Sequence, residues 1–352
     1  MQKYIIYKTN ISNDKKIILN FWENNFPGWP RSKFDLFYIN NPFGESMCWL
    51  ARELSVKKPV GSTALFPRFM YINGQKLIAG LSGDLAVEKN HRKQGIAFKL
   101  REATIDFFNN SAIDFLYATP NEVSARVLKK VNYKFLGKIR RRVKILRSYK
   151  LIQRIIKFKL LAKIISKIID PIFSIFFGGY RIWGNSDFDF EFPLTFDARF
   201  DTLWKEAIKN YTIIGDRSPL ALTWRFFQNH FKDFKIFTVA KKNTSELIGY
   251  IIYRIDENDI YIVDLLTIDK SKYFNLLLAY FSQFIKKQGY DSITINFFGD
   301  DIIKKQLSNS GFIAREKHIS VALYFNDDFP YKDIIIDKNN WYYCDMDNDV
   351  EA

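Results

Sequence analysis

One stretch, residues 85–100, limits more than any other what this chain can fold into. A short apolar strand at 85–87 leads through a polar turn to Gly95 and Ala97, and an amphipathic helix follows. Because these two residues carry little or no side chain, the backbone N–H groups of residues 94–98 lie open where the helix begins. The first N–H groups of a helix have no intrahelical partner, and the helix dipole is positive there. The stretch therefore predicts a pyrophosphate site.

The turn carries a pattern as well as a shape. Arg92-x-x-Gly95-x-Ala97, placed between a strand and a helix, resembles the [Arg/Gln]-x-x-Gly-x-[Gly/Ala] motif of the GNAT superfamily of acyl-CoA-dependent N-acyltransferases. The resemblance implies that the loop amides hold the pyrophosphate of coenzyme A and that the strand before them pairs with its pantetheine arm. An ordinary strand-to-helix turn, with Gly95 only a close-packing residue, is the alternative. A dinucleotide fold is disfavoured because Gly-x-Gly-x-x-Gly is missing.

A second segment extends the resemblance. After a strand at 115–119, the chain has Asn121, a helix at 123–130 and Asn132-Tyr133 in the order of the family pattern, but Leu128 stands where many members have a tyrosine that protonates the leaving thiolate. A leucine cannot protonate a thiolate. The coenzyme-binding residues that the resemblance implies are Leu85, Ala86, Val87, Arg92, Lys93, Gln94, Gly95, Ile96, Ala97 and Asn121.

Composition restricts the partners. The chain has 352 residues, 47% of them hydrophobic, which is enough for two domains with cores, and its formal charge of +15 favours an anionic partner. Only Cys48, Cys344 and three histidines are available for metal or triad chemistry, so we expect no bound metal and no disulfide framework. The first apolar run is too short for a signal sequence and no run is long enough to span a bilayer, so the sequence predicts a cytoplasmic protein.

Most of the positive charge lies in one segment. Twelve Lys and Arg occur between 138 and 167 with no Asp or Glu, interleaved with isoleucine and leucine. The amphipathic face changes near Phe158, which predicts two short helices rather than one. The pattern is typical of segments on an anionic membrane surface, so residues 138–177 favour a peripheral position on the inner face of the membrane. A linker packed between two domains is the alternative, and nucleic acid is disfavoured because stacking aromatic residues are sparse.

The second half of the sequence faintly repeats the first. Residues 84–87 (Asp-Leu-Ala-Val) match 264–267 (Asp-Leu-Leu-Thr), and the strand at 115–119 matches 292–297 in the same order. Residues 268–274 contain no glycine, so we expect the second half not to bind coenzyme A. The sequence therefore predicts an α/β (α+β) chain with an N-terminal GNAT domain at 1–137, a basic amphipathic helical linker at 138–185, and a degenerate GNAT-like domain at 186–352. Each domain is expected to be a mixed, mostly antiparallel twisted sheet flanked by helices.

An N-acyltransfer needs a neutral amine, a polarised thioester and a proton for the departing thiolate. The resemblance implies that a backbone N–H near Ala86 or Val87 polarises the thioester. Three residues are candidates for the catalytic proton transfers: Asp84, Tyr117 and Glu122. Alternation along the strand is expected to put Asp84 on the opposite face from Leu81 and Gly83. A packing role for Tyr117 and a first-turn helix role for Glu122 are the alternatives.

These observations predict an acyltransferase that uses acetyl-CoA or another acyl-CoA. The acceptor that the resemblance suggests is a nucleotide- or lipid-linked amino sugar, as among tandem-GNAT enzymes that modify cell-envelope polysaccharides. Two other classes stay open. One is an aminoacyl transferase of the peptidoglycan-bridge type that uses charged tRNA, and the other is a non-enzymatic adaptor at the membrane surface on a decayed fold.

Overall fold

The computed structural model describes residues 3–26, 28, 31–55, 57–156, 158–176, 187–228, 233–316 and 319–349. The strands in these ranges are β1 (Tyr4–Lys8), β2 (Met47–Glu53), β3 (Pro59–Ile72), β4 (Gln75–Val87), β5 (Phe115–Ala118), β6 (Lys134–Lys138), β7 (Arg140–Ile145), β8 (Phe188–Glu191), β9 (Ile213–Gly215), β10 (Phe234–Lys241), β11 (Leu247–Asp256), β12 (Asp259–Thr267), β13 (Ser292–Gly299), β14 (Ile313–Arg315), β15 (Ser320–Tyr324) and β16 (Trp341–Tyr343).

Helices flank these strands. The α-helices are α1 (Ile11–Asn25), α2 (Arg31–Phe34), α3 (Ile96–Asn109), α4 (Glu122–Lys130), α5 (Tyr149–Ile155), α6 (Lys159–Phe176), α7 (Ala198–Ala207), α8 (Pro219–Leu222), α9 (Lys270–Gln288), α10 (Asp301–Asn309) and α11 (Lys332–Ile335). Helices α2 and α8 each continue into one π-helical turn, at Asp35–Ile39 and Thr223–Phe227. Short 3-10 turns lie at Lys89–His91, Ile208–Asn210, Lys338–Asn340 and Asp345–Asp347.

The strands form two similar sheets that are joined into one. The first has the order β1-β2-β3-β4-β5-β15-β6 and the second β8-β10-β11-β12-β13-β7-β14, and the short strands β9 and β16 bridge β3 to β13. Most pairs are antiparallel, and the parallel ones include β4 with β5 and β12 with β13. The mixed sheet flanked by helices, built twice in the same element order, confirms the predicted fold class.

Each sheet borrows one strand from the other half of the chain. Strand β15 pairs with both β5 and β6, and β7 pairs with both β13 and β14. No local pattern indicates this exchange, because both strands are short and their pairing partners are far away in the chain. The predicted boundaries at 137/138 and 185/186 stay predictions, and strand pairing crosses them.

Residues 140–145 of the basic segment form strand β7 rather than the predicted helix, and the rest of the segment forms two helices, as the change of face near Phe158 predicts. Helix α5 ends at Ile155 and α6 begins at Lys159. Ser148, the residue before α5, donates its backbone N–H to the Asp170 carboxylate at 2.7 Å. Lys150 forms an ion pair of 3.0 Å with Asp291, so this helical hairpin is fastened to the second half of the chain.

A buried ion pair holds the C-terminal segment between the two halves. Both terminal nitrogens of Arg217 donate to the Asp347 carboxylate, at 2.7 and 2.6 Å, and Nη2 also lies 3.3 Å from Asp264. All three side chains are fully buried. Burial alone would lower the pKa of Arg217, but the two carboxylates raise it well above its ordinary value, so the guanidinium stays charged. The Asp347 carbonyl then accepts from the Tyr117 hydroxyl of the first sheet at 2.9 Å.

We expect Arg217→Met to lower the free energy of unfolding by about 3–5 kcal/mol, because it leaves two carboxylates buried without their cation. The measurement is denaturant unfolding followed by circular dichroism. Arg199→Met is the matched control, since Arg199 pairs with Asp197 and Glu191 at the surface and should cost no more than about 1 kcal/mol. Equal losses in the two variants would contradict the role given to Arg217.

Candidate active site

The turn before α3 is open, as the sequence predicts. Gly95 precedes α3 with φ +77°, Lys93 has φ +63°, and no atom lies within 4 Å of where a Gly95 side chain would begin. The first bond into the helix is from the Lys99 N–H to the Gly95 carbonyl, and within the described residues the N–H groups of 96–98 have no protein acceptor. Such unpaired amides at a helix N-terminus bind anions.

Side chains around the turn fix its path. The Tyr4 hydroxyl donates to Gln94 Oε1 at 2.8 Å and lies 3.0 Å from His91 Nδ1. Arg92 donates through Nε to the Val87 carbonyl at 3.0 Å. The side chains of Arg92, Lys93 and Gln94 remain exposed, so both cations stand at the open side of the turn.

Strands β4 and β5 separate just before this turn. They pair in parallel only from Ala79–Phe115 to Leu81–Tyr117, and β4 continues for six more residues without a β5 partner. The separation leaves the β4 edge at 82–87 open for an extended ligand, because an unpaired strand edge offers N–H and C=O groups for pairing. Leu85, Ala86 and Val87 of the predicted set lie on this edge, between the separation and the phosphate turn.

A β-bulge at Asp84 changes which side chains share a face. The pairing of β3 with β4 moves from Ala64–Gly83 to Ser62–Ala86, and Asp84 itself has φ +50°. Asp84 and Gly83 therefore face the same side, and the expectation from simple alternation is wrong. A bulge inserts one extra residue and breaks the two-residue period of the strand.

Four polar side chains meet at the bulge. The Tyr38 hydroxyl donates to Asp84 Oδ2 at 2.7 Å, and Lys33 Nζ lies 3.3 Å from Asp84 Oδ1 and 4.0 Å from Asp349 Oδ2. Asp349 Oδ2 would be 2.5 Å from a β-carbon on Gly83, so only glycine leaves room for it there. We call Lys33, Tyr38, Asp84 and Asp349 the carboxylate cluster.

The carboxylate cluster holds two acidic groups around one cation. Burial raises the pKa of Asp84 to about 6; the Lys33 charge opposes this rise and the Asp349 charge adds to it. Above that pH the cluster carries one net negative charge, and below it none. A group with this pKa is suited to accept a proton near neutral pH.

The opposite face of β4 carries a second polar group. The Tyr133 and Ser82 hydroxyls are 2.9 Å apart, and Arg101 Nη2 reaches the Gly83 carbonyl at 3.4 Å. Arg101 is buried, and its Nε and Nη1 atoms have no acceptor among the described residues. Burial raises the pKa of Tyr133, and the Arg101 charge opposes that rise.

The other predicted residues lie in different surroundings. Tyr117 is fully buried, burial raises its pKa, and its hydroxyl donates to the Asp347 carbonyl, so it fastens the C-terminal segment to β5. Glu122 is the exposed first residue of α4. The Asn121 side chain accepts from the N–H groups of Val123 and Ser124 as the helix cap. Of the three predicted catalytic residues, only Asp84 belongs to the carboxylate cluster.

Sequence reasoning missed Lys33, Tyr38, Tyr133 and Asp349. Asp349 lies 265 positions after Asp84 in the printed sequence, and no local pattern connects the two. Tyr133 was identified only as part of a family pattern, although it follows the helix that carries Leu128 and its hydroxyl reaches β4. The described residues contain no group of three His, Cys, Asp or Glu side chains placed for a metal ion. Nor does this part of the chain contain a helix that could cross a membrane.

The second half lacks an open phosphate turn, as its sequence predicts. Helix α9 begins after Asp269, whose own carboxylate accepts from the N–H groups of Ser271 and Lys272 at 2.8 and 3.1 Å. The amides that would hold a phosphate are therefore satisfied by a negative side chain. Of these two turns, only the one before α3 leaves its amides without an acceptor among the described residues.

Comparison with known proteins agrees with this geometry. The model of the acetyltransferase (GNAT) family matches residues 15–133. The fold is similar to an Enterococcus faecalis V583 protein described as a "Probable N-Acyltransferase" (TM-score 0.65, 11% identity, 92% of this chain and 73% of that chain). It is also similar to a GCN5-related N-acetyltransferase from Anabaena variabilis (0.63, 15%, 92% and 73%). A third is Saccharomyces cerevisiae N-myristoyltransferase with bound myristoyl-CoA and inhibitors (0.56, 11%, 93% and 80%). No curated protein matches the chain in sequence.

We expect Gly95→Glu to abolish binding of coenzyme A in isothermal titration calorimetry. The new side chain would be strained at φ +77° and would bring a negative charge to the open amides. Gly74→Glu is the matched control, because Gly74 has the same φ of +77° and equally open surroundings but lies in the β3–β4 hairpin. Wild-type affinity in Gly95→Glu, or equal loss in both variants, would show that this turn is not the site.

Proposed function

We propose that this chain, whose residues 15–133 match the acetyltransferase (GNAT) family model, is an acyl-CoA-dependent N-acyltransferase that acetylates an amino sugar. The donor in this proposal is acetyl-CoA, and the acceptor is the amino group of a nucleotide- or lipid-linked sugar used for envelope polysaccharide. The reaction would take place in the cytoplasm, at the inner face of the membrane when the acceptor is lipid-linked. The acceptor class rests on the resemblance to tandem-GNAT enzymes.

The observation that carries the catalytic proposal is the carboxylate cluster beside the open edge of β4. An amine is protonated in neutral solution and must lose a proton before or as it attacks the thioester carbon. With Asp84 ionised, the cluster is an anionic site that attracts an ammonium group and then accepts its proton. Asp349 is the more accessible of its two carboxylates, with 11% of its side chain exposed against none for Asp84. We assign proton acceptance to Asp84, with Asp349 as the second carboxylate of the same site.

The remaining steps use groups on β4 and behind it. A backbone N–H of the unpaired edge near Ala86 or Val87 would stabilise the negative oxygen that forms as the amine attacks the thioester. The new C–N bond then replaces the C–S bond, the nitrogen releases its second proton to solvent, and the thiolate of coenzyme A leaves. Tyr133 would give the thiolate its proton, with the neighbouring Arg101 charge favouring the phenolate that remains. Tyr133 would thus be the proton donor, a role that Leu128 cannot fill.

The proposed chemistry predicts a product that mass spectrometry can identify. Incubated with acetyl-CoA and a panel of nucleotide amino sugars, amino acids and polyamines, the protein should add one acetyl group to an amino sugar and release free coenzyme A. Acetylation of a different amine would support the acyltransferase activity but contradict the proposed acceptor class. Binding of aminoacyl-tRNA with no affinity for acyl-CoA would favour the peptidoglycan-bridge class, and binding of neither would favour the adaptor.

We expect kcat/KM for any acetylated amine to rise with pH through about 6, because Asp84 must lose its proton to act in the base. Asp84→Asn should lower kcat/KM by about 10²-fold or more and remove this acid limb. Asp349→Asn should move the limb to lower pH, because the Asp349 charge raises the pKa of Asp84. Tyr133→Phe is the contrasting variant: it should lower kcat and keep the acid limb. Asp328→Asn, at the exposed surface, is the control. Unchanged rates and profiles in both Asn variants of the carboxylate cluster would remove it from the mechanism.

A further inference from the structure

Helix α6 turns an apolar stripe away from the protein. Four of its aliphatic side chains are exposed, namely Leu160 (74%), Leu161 (48%), Ile164 (51%) and Ile168 (61%). Their spacing puts them on one side of the helix, because residues three and four apart are neighbours. On the other side, Ser166 is buried and Ile165 and Ile169 are partly buried, so the helix already has a face that packs. The exposed stripe is therefore a second apolar face.

The stripe continues to the tip of the α5–α6 hairpin. Ile155, the last residue of α5, is 85% exposed, and Phe158 in the connection is 76% exposed. Isolated exposed apolar residues are common on protein surfaces, but contiguous patches mark interaction sites. Six large apolar side chains within residues 155–168 form such a patch. We call it the α6 patch.

A row of lysines borders the α6 patch. Lys159, Lys163 and Lys167 are exposed and repeat every four residues, so they lie side by side next to the row of Leu160, Ile164 and Ile168. Residues 138–169 contain no Asp or Glu. Asp170 accepts from the Ser148 N–H at 2.7 Å and so caps α5. The row of side chains that this segment places beside the patch is thus cationic.

From this arrangement we infer that the α6 patch docks the protein on an anionic phospholipid bilayer. The aliphatic side chains enter the boundary between headgroups and acyl chains, and the lysines contact the phosphates beside it. Charge complementarity favours this occupant over a second copy of the chain. Pairing α6 with its own copy would bring lysines together with no acidic residue of this segment opposite them. Nucleic acid fits less well, since Phe158 is the one described aromatic side chain in the patch.

The inference is independent of the acyltransferase chemistry, because it concerns binding alone. It also explains why the chain concentrates its positive charge in a segment that lies outside the carboxylate cluster and the phosphate turn. A protein held on the bilayer would meet lipid-linked acceptors at a high local concentration.

The test is sedimentation of the full chain with vesicles of phosphatidylcholine, with and without phosphatidylglycerol. We expect binding to the anionic vesicles only, and weakening of it by added salt. Lys159→Gln, Lys163→Gln and Lys167→Gln combined should lower the partition coefficient by about 10²-fold, because each lysine near such a surface contributes about a factor of five. Ile164→Glu with Ile168→Glu should lower it by at least tenfold.

Leu194→Glu is the matched control, since Leu194 is 87% exposed but lies outside the basic segment. Circular dichroism and titration with coenzyme A confirm that each variant is folded. Failure of the wild-type protein to sediment with anionic vesicles at low salt would overturn the inference, as would wild-type binding by both α6 variants. A dimer in sedimentation equilibrium that Ile164→Glu with Ile168→Glu dissociates would assign the patch to a second copy instead.

Discussion

The structure depends on one buried ion pair, between Arg217 and Asp347. Arg217 is on the segment between β9 and α8, and Asp347 is in the last described stretch of the chain. The two hydrogen bonds between these side chains hold residues 345–349 where the two sheets meet. Four backbone carbonyls of this stretch, those of residues 345–348, then accept from Arg68, Tyr117 and Arg225. A buried charge without its partner is costly, so this segment has one strongly preferred position.

The position of that segment links the second half of the chain to the site in the first. Asp349 follows Asp347 by two residues and reaches the space that Gly83 leaves beside the β4 bulge. The half without an open turn before its helix therefore supplies a carboxylate to the half that has one. The exchange of β7 and β15 also makes the two halves depend on each other, because neither sheet is complete without a strand from the other half. The second half therefore contributes to the carboxylate cluster without an open turn of its own.

Local patterns in the sequence predicted the fold class and the open turn before α3. The glycine and alanine at the start of α3 affect only the backbone next to them, so their effect can be read from neighbouring residues. The bulge at Asp84 could not be found in this way, because its φ of +50° is imposed by pairing with β3 and by Lys33 and Tyr38 on the packed helices. Asp349 could not be predicted, because its position depends on the ion pair between Arg217 and Asp347, which are 130 positions apart in the sequence. Tertiary contacts decide such positions.

The two halves show how one scaffold can serve both stability and chemistry. Asp84 and Asp264 occupy matching places next to a β-bulge, and each accepts a hydrogen bond of 2.7 Å from a buried tyrosine, Tyr38 or Tyr250. Asp264 faces the guanidinium of Arg217 in a fully buried site, and Cys344 donates to it at 2.9 Å. Asp84 shares one lysine with a second carboxylate and lies beside an open strand edge. The same acid is thus held by a buried guanidinium in one half, and in the other it shares its cation with a second carboxylate, the arrangement on which the proposed base depends.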